Sequence, residues 1–308
     1  MLPTSSVKKE KYLIIITGPT AVGKTSLAIQ IAQHFSTEII SADSRQFYKE
    51  MTIGTAVPSD AELNSVKHHF IGNLSIQDYY NVYRFEHDAL ALIDTLFQSN
   101  DYMLMVGGSG LYINAVCNGI DEMPDADSAL REQLNRTFEL NGIEPLREQL
   151  RLLDPDTYST VDIANHKRII RALEVCITTG KPYSSFMGNE HKWRPFHIIK
   201  IGLKRDREKL HEIINQRVDR MMEDGLESEA RSLYTFRNQN SLNTVGYREL
   251  FHYFDGNGSL QQAVDKIKVN TRRYAKKQMT WFSRDTEISW FNPSEIDRII
   301  SFIRHQSS

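Results

Sequence analysis

Short apolar runs alternate with amphipathic stretches along much of the chain. Residues 13–17, LIIIT, form an apolar, β-branched run of the kind that fills a buried parallel strand. The apolar residues between positions 27 and 35 then recur at helical spacing. Similar runs end near Ala42 and Gly107, and residues 197–203, HIIKIGL, supply a further strand. Strands that alternate with helices predict an α/β fold, with a parallel sheet flanked by helices.

The character of the sequence changes between about residues 121 and 194. Charged, helix-forming segments such as DSALREQLNRTFEL are interrupted here by prolines, which predicts a helical insertion. The tail after Arg205 is mostly amphipathic helix. We therefore predict a first part of the core at residues 1–120, a helical insertion domain at 121–195, and a segment at 196–308 that completes the core and carries basic helices.

The segment GPTAVGKT follows the first predicted strand and precedes the first predicted helix, as the phosphate-loop pattern G-x-x-x-x-G-K-[ST] requires. Backbone N–H groups can close around phosphate oxygens there, Lys24 adds a point charge, and the Thr25 hydroxyl can bind Mg²⁺. The motif predicts a P-loop NTPase-like core, but it does not say whose phosphates are bound. The predicted phosphate-binding residues are Gly18, Pro19, Thr20, Ala21, Val22, Gly23, Lys24 and Thr25.

Two charged residues outside the loop are candidates for the same site. Asp43 directly follows the second strand, where it could act as a general base or as an outer partner of Mg²⁺; the alternative is a turn or helix-cap aspartate. Arg217 shares one helical stripe with Leu210 and Ile214, so it faces the core. Such an arginine either extends outward to solvent or meets an anion.

The third strand ends in GGSG, where an ATPase usually carries an aspartate that helps to hold Mg²⁺. Nucleotide hydrolysis is therefore not favoured. Small-molecule kinases often lack that aspartate too, so a phosphate-loop kinase of a small metabolite stays open as an alternative.

Positive charge is concentrated late in the chain although the formal net charge is −2. Residues 265–284 hold seven lysines and arginines against one acid, Asp265, with Tyr274, Trp281 and Phe282 interleaved. Such a segment suits phosphate contacts and base stacking on single-stranded or looped nucleic acid. The alternative is a solvated helix face with core aromatics. A smaller cluster at residues 166–171 has the same two interpretations.

Two cysteines, Cys117 and Cys176, argue against a disulfide framework or a cysteine zinc site and favour a reducing compartment. The lysines before the first apolar run resemble the start of a signal peptide, but the run is too short and continues into the phosphate loop. No transmembrane or lipidation pattern is present, so we expect a cytoplasmic protein without membrane contact.

Several segments together resemble the tRNA dimethylallyltransferases, also called tRNA isopentenyltransferases. They are GPTAVGKT, SADSRQFYKEMTIGTA, HHFIG, VGGSGLYI, HKRIIRALEV, LHEIINQRVDRMMEDGLESEA, TVGYREL and AKKQMTWF, and they span nearly the whole chain. The phosphate loop occurs in many families, whereas DSRQFY followed by IGTA, the late VGYRE and KKQMTWF are quite specific to this one.

The resemblance implies a reaction: transfer of a dimethylallyl group from dimethylallyl diphosphate to N6 of the adenosine at tRNA position 37, beside the anticodon, with release of diphosphate. The loop would then hold a leaving group, with Mg²⁺ on Thr25 and Arg217 neutralising its charge. Asp43 matches the family's catalytic aspartate and would accept or orient the proton of the attacking amine. We expect a monomer whose partners are dimethylallyl diphosphate and the anticodon stem-loop.

The resemblance also implies tRNA contacts at four segments and at Ser109, where many relatives have threonine, and Arg131. The four segments are Asp43, Ser44, Arg45, Gln46, Phe47 and Tyr48; His166, Lys167, Arg168, Ile169 and Ile170; Asn243, Thr244, Val245, Gly246, Tyr247 and Arg248; and Lys276, Lys277, Gln278, Met279, Thr280, Trp281, Phe282 and Ser283. Besides the kinase, a tRNA-binding protein with an inactive loop is an alternative, which the intact Lys24, Thr25 and Asp43 disfavour.

Overall fold

The computed structural model describes residues 10–125, 127–188 and 192–308. The chain forms two compact units. The first combines the residues up to Asn118 with those from Trp193 onward, and the second is Gly119–Lys192. The sequence had placed the insertion at 121–195. Of the lysines that precede the first strand, Lys8 and Lys9 lie outside the described residues.

Six strands of the first unit form one parallel sheet in the order β3-β2-β4-β1-β5-β6. The strands are β1 (Tyr12–Thr17), β2 (Ile39–Ser41), β3 (His68–His69), β4 (Tyr102–Gly107), β5 (His197–Leu203) and β6 (Ser289–Phe291). The predicted α/β fold of the phosphate-loop type is confirmed. The sequence did not predict β3 or β6, because two and three residues are too short for a recognisable pattern.

The central strand explains why helices cover both faces of the sheet. All six residues of β1 are buried. Leu13 and Ile15 pack into the core on one face, and Ile14 and Ile16 pack into the core on the other, as the twofold alternation of a strand requires. Burying each of these side chains contributes about 2 kcal/mol, so the uninterrupted apolar run both forms the strand and fixes its central place.

Nine α-helices of the first unit complete the two layers among the described residues. They are α1 (Lys24–His34), α2 (Asp60–Ser65), α3 (Val82–Leu96), α4 (Gly110–Asn118), α9 (Arg207–Glu223), α10 (Leu226–Leu233), α11 (Tyr247–Phe254), α12 (Leu260–Phe282) and α13 (Ile296–Gln306). Short 3₁₀ turns lie at Tyr234–Phe236 and Asn240–Leu242. A serine at position 59 caps α2 and another at 259 caps α12, each with a capping box.

The second unit is helical, with its own small core. It contains α5 (Ser128–Asn141), α6 (Glu144–Leu153), α7 (Pro155–Thr160), α8 (His166–Thr179) and a 3₁₀ turn at Tyr183–Phe186. Leu134, Leu150 and Leu173 pack together at its centre. Arg131 forms a two-pronged ion pair with the buried carboxylate of Glu174, so its guanidinium serves this unit's own structure.

Within the described residues, no helix has both the length and the apolar character needed to cross a membrane.

Candidate active site

The phosphate loop joins β1 to α1 with a backbone suited to anion binding. Gly18 and Gly23 have φ angles of 145° and 107°, and Ala21 has 65°, a region that favours glycine. In the described part of the chain no side chain caps the N-terminus of α1. The first N–H groups of the helix are therefore available to phosphate oxygens, with the positive end of the helix dipole behind them.

Lys24, the first residue of α1, places its ammonium inside this loop. Its Nζ donates hydrogen bonds to the carbonyl oxygens of Gly18 at 3.0 Å and Pro19 at 2.8 Å. Burial lowers the pKa of Lys24 to about 8; the Asp43 carboxylate acts in the opposite direction, and the Arg217 guanidinium lowers the pKa further. An anion in the loop would stabilise the charged ammonium.

A cavity of about 430 Å³ lies beside the loop, where the strands end. Thr25 lines it from α1, Asp43 from the segment after β2, and Arg217 from α9. The three residues that the sequence indicated as catalytic therefore share one cavity, and its volume suits a small ligand. Their chemical roles stay predictions.

Arg217 reaches the cavity from a helix whose Leu210 and Ile214 are buried in the core. Burial lowers the pKa of Arg217, and the nearby Asp43 opposes that shift. No described residue forms an ion pair or a hydrogen bond with its guanidinium. A half-buried guanidinium that faces a cavity without a partner favours an anion there, which is one of the two interpretations that the sequence left open.

Asp43 combines a turn contact with its place in the cavity wall. Its Oδ1 accepts a hydrogen bond from the N–H of Arg45 at 3.1 Å. Among the described residues its Oδ2 accepts no hydrogen bond. One oxygen of Asp43 thus stabilises a turn, as the alternative interpretation of a turn aspartate predicted. The other oxygen is available to a ligand.

Ser109 holds this turn in place. Its Oγ accepts a hydrogen bond from the N–H of Ser44 at 3.0 Å and lies 3.1 Å from the Ser44 hydroxyl. Gly107 is the last residue of β4, two positions before Ser109. A Cβ on Gly107 would lie 2.3 Å from the carbonyl oxygen of Ala42. Only glycine permits this close approach of the two strand ends, which brings Ser109 against the residue after Asp43.

Gln278, on α12, connects the loop to the end of β4. Its Oε1 accepts a hydrogen bond from the N–H of Thr20 at 2.8 Å, and its Nε2 donates one to the carbonyl oxygen of Gly108 at 2.9 Å. Its amide is buried. The Gln278 side chain, which was predicted to contact tRNA, therefore helps to position the phosphate loop.

One carboxylate orders the loop at residues 52–56. Glu229 accepts hydrogen bonds from the N–H and hydroxyl of Thr52 and from the next two N–H groups, at 2.8 to 2.9 Å, and from the Tyr247 hydroxyl at 2.6 Å. Two carbonyl groups at the end of the loop accept hydrogen bonds from the amide of Gln46, which lines the cavity. Nothing in the local sequence indicated that Glu229 would help to order the part of the cavity wall that contains Gln46.

A second concavity of about 990 Å³, the basic groove, runs along α12. It collects six cations against one carboxylate, Glu249. Its lining residues are Val245, Arg248, Glu249, His252, Lys266, Asn270, Arg273, Tyr274, Lys276, Lys277, Thr280, Trp281 and Arg284.

Two cations of the basic segment lie outside the groove. Lys268 pairs with Asp219, and Arg272 donates a hydrogen bond to Asn215, both on α9. Some cations of residues 265–284 therefore form a cationic surface, and others contribute to the packing of α12 against α9. The exposed Trp281 lies on the surface side.

Several other predicted tRNA-contact side chains are buried, so these positions could reach RNA only through their backbone or by shaping their segment. They are Phe47, Tyr48, Ile169, Ile170, Tyr247 and Phe282. In the second unit, Lys167 and Arg168 are exposed, and His166 stacks on Phe138 with ring centroids 4.2 Å apart.

The described residues contain no group of three or more histidines, cysteines or carboxylates that could hold a metal by themselves. The Thr25 hydroxyl and the Asp43 carboxylate do line the same cavity. Two such oxygens fit the way Mg²⁺ is bound with phosphates, since that ion takes few protein ligands and completes its shell with water and substrate oxygens.

The fold and cavity define a phosphate-loop protein in which the loop, Arg217 and Asp43 line one cavity. A family model described as IPP transferase matches residues 46–285, and the chain belongs to that family. The tRNA dimethylallyltransferase 1 of Phocaeicola vulgatus is 52% identical over 291 residues, which are 94% of this chain and 97% of the relative. The tRNA dimethylallyltransferase of Christiangramia forsetii is 54% identical over 284 residues, 92% and 94% of the two chains.

Solved structures agree with this assignment. The tRNA isopentenylpyrophosphate transferase of Bacillus halodurans superposes with a TM-score of 0.71 at 36% identity and covers 97% of each chain. A eukaryotic dimethylallyltransferase acting on tRNA superposes with a TM-score of 0.76 at 25% identity, over 93% of this chain and 75% of that chain. The predicted family is confirmed, and these relatives do not support the small-metabolite kinase.

Proposed function

We propose that this protein transfers a dimethylallyl group from dimethylallyl diphosphate to N6 of the adenosine at tRNA position 37, beside the anticodon. The observation that carries the proposal is the shared cavity, which is lined by the phosphate loop, by Arg217 and by Asp43; among the described residues, the Arg217 guanidinium and the Asp43 Oδ2 have no partner. The relatives named above are transferases of this kind for tRNA.

Cleavage of the allylic C–O bond sends its electron pair to the diphosphate. The loop N–H groups, Lys24 and Arg217 are placed to stabilise that charge as it develops. Thr25 would hold Mg²⁺ and Asp43 would be its outer partner; when bound, the ion would supply further charge neutralisation.

The amine at N6 forms the new C–N bond with the allylic carbon and must lose a proton. Asp43 lines the cavity, and its Oδ2, which accepts no hydrogen bond from the described residues, is available to accept that proton. The base must leave its stack to bring that amine into the cavity.

The tRNA partner must be held by local charge, because the net charge of the chain is −2. The basic groove and the exposed Lys167 and Arg168 of the second unit are the surfaces that suit a polyanion. We also propose that the protein is a monomer and that it is cytoplasmic. Light scattering of the purified protein would test the monomer.

The proposal is tested with three labels, two on dimethylallyl diphosphate and one on ATP. Dimethylallyl diphosphate labelled on carbon should pass its label to tRNA, whereas label on phosphorus should stay in solution as diphosphate. ATP labelled on its terminal phosphate should label neither tRNA nor a small metabolite. Phosphate transfer from ATP without carbon transfer would sink the proposal.

Binding of the diphosphate should weaken as the pH rises through 8. In the free protein the pKa of Lys24 is about 8, and a bound diphosphate raises it, so binding above pH 8 requires proton uptake. The dissociation constant of the unreactive thiolo analogue of the substrate, measured by calorimetry in the presence of stem-loop, should increase up to about tenfold per pH unit there. Lys24→Arg stays charged; an equal pH dependence in that variant would contradict the role of Lys24.

Neutralising two lysines of the basic groove should weaken tRNA binding and flatten its salt dependence. For Lys276→Gln/Lys277→Gln, the slope of log K against log salt should fall by about 1.5 in a titration of the anticodon stem-loop, because each phosphate contact contributes about 0.7 to 0.9. The matched control is Lys204→Gln/Lys209→Gln, which removes two exposed lysines outside the groove. An unaltered slope in the first variant would remove α12 from the binding surface.

A further inference from the structure

Tyr274 of α12 lines both the cavity and the basic groove. Among the described residues it is the one that the two walls share. It is 44% exposed, so part of its ring faces solvent at the point where the two concavities meet. A nucleotide that passes from the groove into the cavity would have to pass this side chain.

Two neighbours on the same helix face fix the position of Tyr274. Gln278 lies one turn further along and is bonded to the phosphate loop and to Gly108. Trp281 lies one turn beyond that and packs against Gly110, where an added Cβ would lie 2.2 Å from the indole Nε1. Residues four and seven positions apart share one face of a helix, so these contacts hold Tyr274 at the entrance.

Tyr274 lies outside the apolar cores of the described residues. It belongs to none of the four apolar clusters, and within the described part of the chain its ring stacks on no other ring and its hydroxyl makes no hydrogen bond. Tyr247 shows the contrast, since it is fully buried and bonded to Glu229. A large aromatic ring that is partly exposed and lies outside the core is available to a ligand.

The charge around Tyr274 suits a neutral stacking platform. Burial and the nearby carboxylate of Asp43 raise the pKa of Tyr274 to about 12, with Arg45 opposing. The phenol therefore stays uncharged and adds no repulsion to a polyanion in the groove. Tyr274 and Asp43 also line the same cavity, so a base on the ring would be in the compartment of the carboxylate proposed to accept the proton.

We propose that Tyr274 positions the target base: the adenine stacks on its ring at the entrance, with the N6 edge directed toward Asp43. This inference rests on the proposed function and adds to it the residue that selects the productive orientation of the base. Stacking of a base on an aromatic side chain contributes about 1 to 3 kcal/mol, or roughly 5- to 150-fold in affinity or rate.

The test compares Tyr274→Ala, Tyr274→Phe and Tyr274→Leu with the wild type. Tyr274→Ala should lower kcat/KM for the anticodon stem-loop about tenfold to a hundredfold, with the KM for dimethylallyl diphosphate unchanged. Tyr274→Phe keeps the ring and should stay within about twofold of the wild type, while Tyr274→Leu should be intermediate. The matched control is Tyr79→Ala, which removes another exposed tyrosine, 48% exposed and outside both walls.

A binding measurement separates positioning from folding. A stem-loop with 2-aminopurine at the target position carries no N6 amine and cannot react, so its fluorescence reports only the environment of the base. It should be quenched when bound to the wild type and to Tyr274→Phe, and bright with Tyr274→Ala, at equal melting temperatures. Wild-type kcat/KM in Tyr274→Ala, or equal quenching in it, would overturn the inference. Failure of the wild-type protein to transfer the allyl group would instead overturn the proposed function.

Discussion

Replacing Asp43 with alanine should lower kcat for dimethylallyl transfer by about 10²- to 10⁴-fold, the usual contribution of a positioned general base. The physical reason is that the variant lacks the Asp43 carboxylate, the group in the cavity wall that is proposed to take the proton from the N6 amine. Rates are measured at saturating concentrations of both substrates. Binding of the stem-loop, measured separately, should stay within about threefold of the wild type, because its affinity depends on the groove cations.

Asp43→Asn separates the two roles that the structure gives this residue. The asparagine oxygen can still accept the N–H of Arg45 and keep the turn, but the amide cannot accept a proton from the amine. The asparagine variant should therefore be nearly as slow as the alanine variant. Near wild-type turnover in Asp43→Asn would show that this residue only shapes the turn.

Replacing Arg217 with glutamine should lower kcat/KM for dimethylallyl diphosphate by about 10²- to 10³-fold, as loss of a charge-stabilising donor at a leaving group does. The affinity for stem-loop should not change. Arg217→Lys restores the charge but not the planar fork and should recover part of the loss. Initial rates at varied concentrations of each substrate measure this.

The matched control for Arg217 is Arg207→Gln, which removes an exposed arginine from the first turn of the same helix, outside the cavity. It should behave like the wild type. If the defect of Arg217→Gln appeared only in the dependence on tRNA concentration, the assignment of Arg217 to the diphosphate would be wrong.

The sequence predicted those parts of the fold that local patterns encode. The uninterrupted run in β1 and the flanking glycines were sufficient to locate the central strand and the phosphate loop. They also indicated that the strand ends would gather Thr25 and Asp43, because carboxyl ends of parallel strands meet at one edge. The edge strands β3 and β6 could not be predicted, since their two and three residues are defined by pairing with their neighbours.

Contacts between distant residues explain what the sequence did not reveal about the site. Gln278 and Thr20 are 258 positions apart, and no spacing rule connects them. The basic segment shows the same limit: its composition predicted a cationic surface, but only the packing of α12 against α9 decides that Lys268 pairs with Asp219 while Lys276 and Lys277 face the groove.

The most direct test of the proposed reaction is mass spectrometry of nucleosides from an anticodon stem-loop incubated with the protein, Mg²⁺ and dimethylallyl diphosphate. We expect one new nucleoside, adenosine with a dimethylallyl group on N6, at the position 3′ to the anticodon. The Asp43→Asn variant should yield almost none in the same time. Unmodified adenosine at that position with the wild-type protein, or a phosphorylated product when ATP is supplied instead, would contradict the account.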